Sequence, residues 1–307
     1  MKSKGKIVNG LCHPSWEMAY AKTGFTIIEL LTAMSIIVIL LSLLLPSLNM
    51  VRRYAREVTQ KGQFHDISKG LEMFSIDFDG YPDSAPLDAD GDNYCGAMKL
   101  CEAMVGQDGL GFHPDSVFDD KGKASDKTTE LYFNRTPLSI PPTPTQEANL
   151  RTRKVKYIEG QNVQIASIGT LFSSTPFDSC CPVLCDVFKR NELRSLAGEK
   201  LGMPILYYKA DPSKLTHDAN QGVTNKTNIY NYLDNDKLLQ IKPPWGGGND
   251  HPLYDSAGKG SLFYSNTRDK AVTVTDKPYN PNSYILISAG WDGLYGTRDD
   301  VYNFMTK

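Results

Sequence analysis

Hydrophobic and polar positions divide the chain unevenly. Residues 25–45 are almost wholly apolar, with one ionisable group, Glu29. About 21 such residues, at about 1.5 Å each, cross a hydrocarbon core of roughly 30 Å, so the run predicts a transmembrane helix. It is longer than a signal-peptide core, and no Ala-x-Ala site follows it. Past Pro46, Val51, Tyr54, Val58, Phe64, Ile67, Leu71, Phe74 and Phe78 recur mostly three or four apart. Residues 46–82 are therefore expected to continue as an amphipathic helix. Gly62 and Gly70 weigh against it by about 1 kcal/mol each relative to Ala. Asp79-Gly80-Tyr81-Pro82 predicts the stop, with Gly80 as the left-handed cap and Pro82 just beyond.

Beyond residue 82 the pattern is irregular to about residue 149, and 136–145 reads as a stiff, Pro-rich connector. Segments 152–158 and 162–172 predict short strands, 186–200 a short helix, and 203–210 a strand. The clearest strand is 284–289, closed by Gly290, and 242–249 is a Gly-rich loop. The expected fold class is α+β: a long N-terminal helix packed on a small antiparallel sheet. A large loop-rich insertion, 83–200, precedes a β-rich part, 201–307, that ends in an acidic loop.

A net charge of −2 leaves no basic field for nucleic acid. With residues 1–24 and the anchor helix set aside, roughly 230 residues remain, enough for one sizeable domain or two small ones. Lysines before the run and Arg52, Arg53 and Arg56 after it nearly balance, so charge alone hardly orients the helix. Cys12 lies near the N-terminus. Among Cys95, Cys101, Cys180, Cys181 and Cys185, the local pairs are Cys95 with Cys101 and Cys185 with Cys180 or Cys181, leaving an odd thiol. A metal site at the last three lacks paired C-x-x-C spacing and a nearby His. His65, His113, His217 and His251 are scattered, with no nucleophile elbow or phosphate-binding loop, so the chain reads as a non-enzyme.

Two acidic stretches offer oxygen ligands for a hard cation. Asp88, Asp90, Asp92 and Asn93 begin like an EF-hand loop. However, Asn93 stands where Gly is needed and Lys99 where a bidentate Glu is needed, so a solvated acidic turn is the better reading. Near the C-terminus Asp292, Asp299 and Asp300 lie among glycines; on composition alone they suit an acidic turn. Glu29 is the other anomaly, because a carboxylate inside lipid costs several kcal/mol without a partner.

Gly24-Phe25-Thr26-x-x-Glu29, an apolar helix and Pro46 together resemble the class III signal of type IV pilins and type II secretion pseudopilins. Ile76-Asp77-Phe78-Asp79-Gly80-Tyr81-Pro82 resembles the helix-to-loop junction of major pseudopilins. The stretch 288–304 resembles their C-terminal calcium loop, with Phe304 where Trp is frequent. The resemblance covers about a quarter of the chain. It implies a leader, 1–24, cleaved after Gly24 by a prepilin peptidase, with N-methylation of Phe25. It further implies that Glu29 pairs with a neighbouring subunit's N-terminal amine in a helical homo-oligomeric filament. Ca²⁺ would be held by Asp292 and Asp299, with Asp300 and the Leu294 carbonyl as further candidates. The implied setting is the bacterial inner membrane, single-pass with a periplasmic head, among other pseudopilins and the assembly platform. The implied role is a structural subunit of a type II secretion pseudopilus, or alternatively a type IV or minor pilin in adhesion, motility or DNA uptake. The family's heads are much smaller, and the extra residues have no role in this reading.

Overall fold

The computed structural model describes residues 24–135, 138–160, 163–221, 227–245, 250–272 and 275–304. Residues 1–23, which carry Cys12 and nearly all of the expected leader, lie outside them, as do 246–249 of the Gly-rich loop. By internal contacts the chain divides into two units, residues 1–51 and 52–307.

The membrane run and the amphipathic run form one helix, α1 (Ile27–Phe78, 52 residues), unbroken through Pro46. That proline lacks the N–H that would bond the Ser42 carbonyl. The helix starts on a capping box: the Thr26 N–H and hydroxyl donate to Glu29 Oε2 at 2.9 and 2.7 Å, and the Glu29 N–H donates back to Thr26 Oγ1 at 3.3 Å. It ends one residue earlier than the cap expected at Gly80. Asp79 takes the left-handed conformation, φ 55°, and the Gly80 N–H closes on the Ser75 carbonyl at 3.1 Å. Asp tolerates that region through local hydrogen bonding, which leaves Gly80 free to lead into Tyr81-Pro82.

Only part of the expected amphipathic face is buried. Phe64, Ile67, Leu71 and Phe74 are buried, whereas Val51, Tyr54 and Val58 are exposed. Two glutamines open the buried face instead. Gln60 Nε2 donates to Gln63 Oε1 (2.8 Å), Gln63 Nε2 to the Cys185 carbonyl (3.0 Å), and the Val187 N–H to Gln60 Oε1 (2.9 Å). Gly70 is needed for close approach: a Cβ there would lie 2.8 Å from Met104 Sδ and 3.0 Å from the Tyr157 carbonyl.

Within 83–200, expected to be loop-rich, lies α2 (Gly96–Val105), every residue of which is buried. Its N-terminus is capped from far along the chain, the Ala97 N–H donating to Asn235 Oδ1 at 2.9 Å. No local cap residue was therefore present to announce it. A Cβ on Gly96 would sit 2.2 Å from the Tyr207 carbonyl, so only Gly lets the helix start against the sheet. α3 (Pro144–Thr152) starts on a capping box between Thr143 and Gln146 with Pro144 at the first turn, a signal legible in a stretch expected to be only a connector.

The expected strand at 152–158 is instead irregular chain after α3. It is tied by single bonds, Lys154 N–H to Phe112 O and Tyr157 N–H to Met104 O, both 2.9 Å. β1 (Gln164–Ser167) fulfils part of the strand expected at 162–172 and gives way to one helical turn, α4 (Ile168–Leu171). β1 pairs antiparallel with β2 (Pro182–Cys185). The helix expected at 186–200 does not form. The chain reverses there, Ser195 N–H bonding Glu199 O and Leu201 N–H bonding Leu193 O, because the Asp186 carboxylate takes the Phe188 N–H and competes with a helical first turn.

β3 (Leu206–Lys209), β4 (Tyr284–Ser288) and β5 (Val301–Tyr302) form a second antiparallel sheet in that order. The short helices α5 (Asp236–Leu239) and α6 (Ser261–Thr267) lie between β3 and β4 in sequence. Successive residues of the sheet serve two cores. Ile205, Tyr207, Tyr284 and Leu286 pack with the buried faces of α1 and α2. Leu206, Tyr208, Ile285 and Ile287 pack with Tyr230, Tyr232 and Phe263. Burial on both faces explains the continuous apolar run of β4. Residues of 83–200 and of 201–304 contribute to both cores.

Candidate functional site

At the N-terminal end, Gly24 and Phe25 precede the first turn of α1 in non-helical conformation, and Phe25 is exposed. Glu29 is occupied within its own chain by the Thr26 capping box. Every described residue of 25–51 is exposed. The helix is long and apolar enough to cross a membrane by length and composition.

The acidic loop follows β4. Asp292 Oδ1 accepts the Leu294 N–H (2.8 Å), and Asp299 Oδ2 accepts the Asp292 N–H (2.8 Å). Thr297 Oγ1 lies 2.6 Å from Asp299 Oδ1, 3.2 Å from the Leu294 carbonyl and 3.4 Å from Asp300 Oδ1. One hydroxyl has one proton, so it satisfies only one of these three acceptors. Burial and then the neighbouring Asp299 charge hold the Asp292 carboxyl above its ordinary value. Asp299 titrates below its own: burial works to raise it, but the Thr297 hydroxyl and the Asp292 N–H outweigh that. The structure thus brings Asp292, Asp299 and the Leu294 carbonyl together. Asp300 is turned partly away, its Oδ2 accepting the Gly296 N–H at 2.7 Å and the Tyr302 hydroxyl at 3.2 Å, and burial pushes it up to about 8.

Five residues around this loop were not connected with it from sequence. Thr297 sits among the oxygen donors. Arg190 donates to the Gly290 carbonyl (3.4 Å) and the Trp291 carbonyl, and its guanidinium lies 4.6 Å over the Trp245 ring. Trp245 Nε1 donates to the Asp292 carbonyl at 3.2 Å. On the other side, the Arg53 and Arg56 guanidiniums of α1 lie 5.2 and 4.8 Å over the Trp291 ring. Spacing carries no signal for Arg190, Trp245, Arg53 and Arg56, because they come from three distant segments. The loop's donors are all oxygen, with Asp299 held below its ordinary value and a single hydroxyl proton shared among three acceptors. They fit a hard cation.

The second acidic stretch is a turn, as expected, with Asp90 exposed, but its Asp88 also reaches a neighbouring loop. Asp88 Oδ1 accepts the Asp90 and Asp92 N–H groups at 2.9 Å each, and Asp88 Oδ2 accepts the Asp120 N–H at 3.2 Å. Carboxylate oxygens of Asp88, Asp119 and Asp120 come within 4.8 Å of one another. The C-terminal aspartates do not form such a trio.

The expected disulfides are not formed. Cys95, Cys101, Cys180, Cys181 and Cys185 are all free, and all but Cys180 are buried. Cys95 caps α2 and Cys101 lies six residues into it, which separates their Cα atoms by about 10 Å. Cys181 and Cys185 are separated by β2, about 13 Å of extended chain. Both distances exceed the roughly 7 Å limit for a bridge. Burial raises the Cys95 thiol to about 11, so it is held as an unreactive thiol. His217 and His251 are buried and each makes a hydrogen bond. His217 Nε2 meets the Thr267 hydroxyl at 2.9 Å, and His251 Nδ1 accepts the Tyr295 N–H at 3.2 Å.

No protein-family model, curated protein or solved structure matches the chain.

Proposed function

We propose that this chain is a prepilin-type structural subunit, closest in kind to the major pseudopilin of type II secretion, which works by assembly and not by catalysis. The observation that carries the reading is the start of α1. A Gly24-Phe25 junction and a carboxylate at Glu29 open an apolar helix whose residues 25–51 are all exposed among the described residues. Neighbouring copies of the same helix would cover them in a filament. Glu29 already orients its carboxylate at the helix start through Thr26, next to where the amine of a processed Phe25 would lie. Partners in this reading are a prepilin peptidase, other pseudopilins, an inner-membrane assembly platform and the bacterial inner membrane, with the head in the periplasm.

Ca²⁺ belongs to the proposal as a structural ion. Asp292, Asp299, the Leu294 carbonyl and the Thr297 hydroxyl would hold it. It would neutralise a loop that Trp291 joins to Arg53 and Arg56 of α1. A type IV or minor pilin is the second reading, favoured by a head with two large cores.

The deciding experiment is the N-terminal mass of the protein extracted from its membrane. A chain that begins at N-methylated Phe25 is the expected result. An intact Met1 start would remove the support for assembly. Copurification with an outer-membrane secretin would favour secretion, and surface pili the second reading.

A further inference from the structure

The loop that fails as an EF-hand in sequence acquires its missing carboxylates in space. Asp88-x-Asp90-x-Asp92 supplies alternating oxygens, but Lys99 occupies the place of the closing Glu. In the fold Lys99 turns away, its Nζ donating to Asp83 Oδ2 at 2.7 Å and to the Leu87 carbonyl at 3.0 Å. Asp119 and Asp120 come in from the next loop, so that three carboxylates each bring an oxygen within 4.8 Å of the others. Asp119 is 7% and Asp120 5% exposed, so water screens this repulsion poorly.

Three of the six carboxylate oxygens in this cluster have hydrogen-bond donors. Asp119 Oδ1 accepts the Lys121 and Lys123 N–H groups, both at 3.0 Å, and both Asp88 oxygens accept backbone N–H groups. Asp120 Oδ1 is different: it is buried and accepts no hydrogen bond. The Lys121 ammonium is 3.6 Å from it, beyond hydrogen-bond length, and donates instead to Asp92 Oδ2. That lysine is 45% exposed, and Asp90 is held by Lys127, 64% exposed. Such surface pairs are weak and readily exchanged. A buried carboxylate oxygen without a hydrogen-bond donor, on a residue clustered with two more carboxylates and ion-paired only at 3.6 Å to a half-exposed lysine, leaves a place for a stronger positive partner. All of the side-chain donors are hard oxygens. A nearby sulfur, Cys181 Sγ, donates to the Asp120 backbone carbonyl at 3.6 Å.

We propose that Asp88, Asp119 and Asp120 form a divalent-cation site of the Ca²⁺ class that ties the loop at 88–92 to the loop at 116–124. It is separate from the C-terminal acidic loop and independent of the secretion reading. Carboxylates select hard ions such as Ca²⁺ over zinc or copper.

The test uses the full chain in detergent micelles, stripped with chelator and then titrated with CaCl₂ by equilibrium dialysis. Asp120→Asn keeps the shape and removes the charge of an oxygen that accepts no hydrogen bond. It is expected to bind one equivalent of calcium fewer than wild type. Asp292→Ala, aimed at the C-terminal loop, is expected to leave that equivalent in place, so failure of one site is distinguishable from failure of the other. In chelator the Asp120→Asn variant should melt at or above the wild-type temperature, and in calcium below it. Equal calcium stoichiometry in wild type and Asp120→Asn overturns the proposal. A second measurement needs no change at the site. In the Asp292→Ala protein, calcium should slow hydrogen exchange of the amides at 116–124, and unchanged exchange there also overturns it.

Discussion

Glu29 has two jobs open to it, and one substitution separates them. Its carboxylate accepts from the Thr26 N–H and hydroxyl at 2.9 and 2.7 Å, a capping box complete within one chain. Glu29→Ala removes that cap, at a cost of about 0.5–2 kcal/mol to the first helical turn. Glu29→Gln retains it, because a capping box accepts Gln as well as Glu, but removes the charge. If the charge pairs with a neighbouring subunit's ammonium, its loss leaves that ammonium unpaired in low dielectric, at about 3–5 kcal/mol per contact. At about 1.4 kcal/mol per tenfold, subunit association weakens by roughly two to three and a half orders of magnitude. Both variants should therefore insert in the membrane and fail to assemble. Cross-linked oligomer ladders from intact membranes read assembly, and circular dichroism of the solubilised protein reads helix content. Glu29→Gln that assembles like wild type would refute the charge-pairing argument and leave Glu29 as a helix cap only.

Asp292→Ala should lower the melting temperature of the head in calcium but not in chelator; an equal loss in both would make Asp292 a turn residue. Asp186 is buried, accepting the Phe188 and Met203 N–H groups at 3.1 Å and the Ser288 hydroxyl at 2.8 Å. Burial raises its carboxyl from 3.8 to about 7. The folded protein keeps this proton where the unfolded chain releases it, so the contribution is full below about pH 4 and is lost as pH rises through 7. It amounts to no more than about 4 kcal/mol. Asp186→Asn should consequently gain stability relative to wild type between pH 4 and 7, and parallel melting profiles would contradict this. Leu71→Ala, at a site with 0% exposure, should cost about 2–5 kcal/mol in urea titration and leave membrane insertion intact; a loss below about 1 kcal/mol would mean that α1 does not share the core of the head.

What the sequence determined by itself were the features carried by local pattern. The length and apolarity of α1, its stop near residue 79, and the strands at 206–209 and 284–288 follow from hydrophobic period and turn chemistry, which act within a few residues. The capping box of α3 was equally local, in Thr143-Pro144-Thr145-Gln146, and was passed over in favour of the surrounding prolines. Tertiary structure decided the rest. α2 is capped by Asn235 and admitted against β3 only by Gly96, so its own sequence carries no start signal. Glutamines 60 and 63 line a buried helix face because the chain at 185–187 offers them backbone partners. The cysteine pairs that looked natural by spacing are held apart by a helix and a strand whose accumulated rise exceeds what a disulfide spans. Carboxylates also changed meaning with their company: Asp88 reads as a turn until Asp119 and Asp120 arrive. Long-range approach sets charge, burial and donor supply together, and no window of sequence contains it.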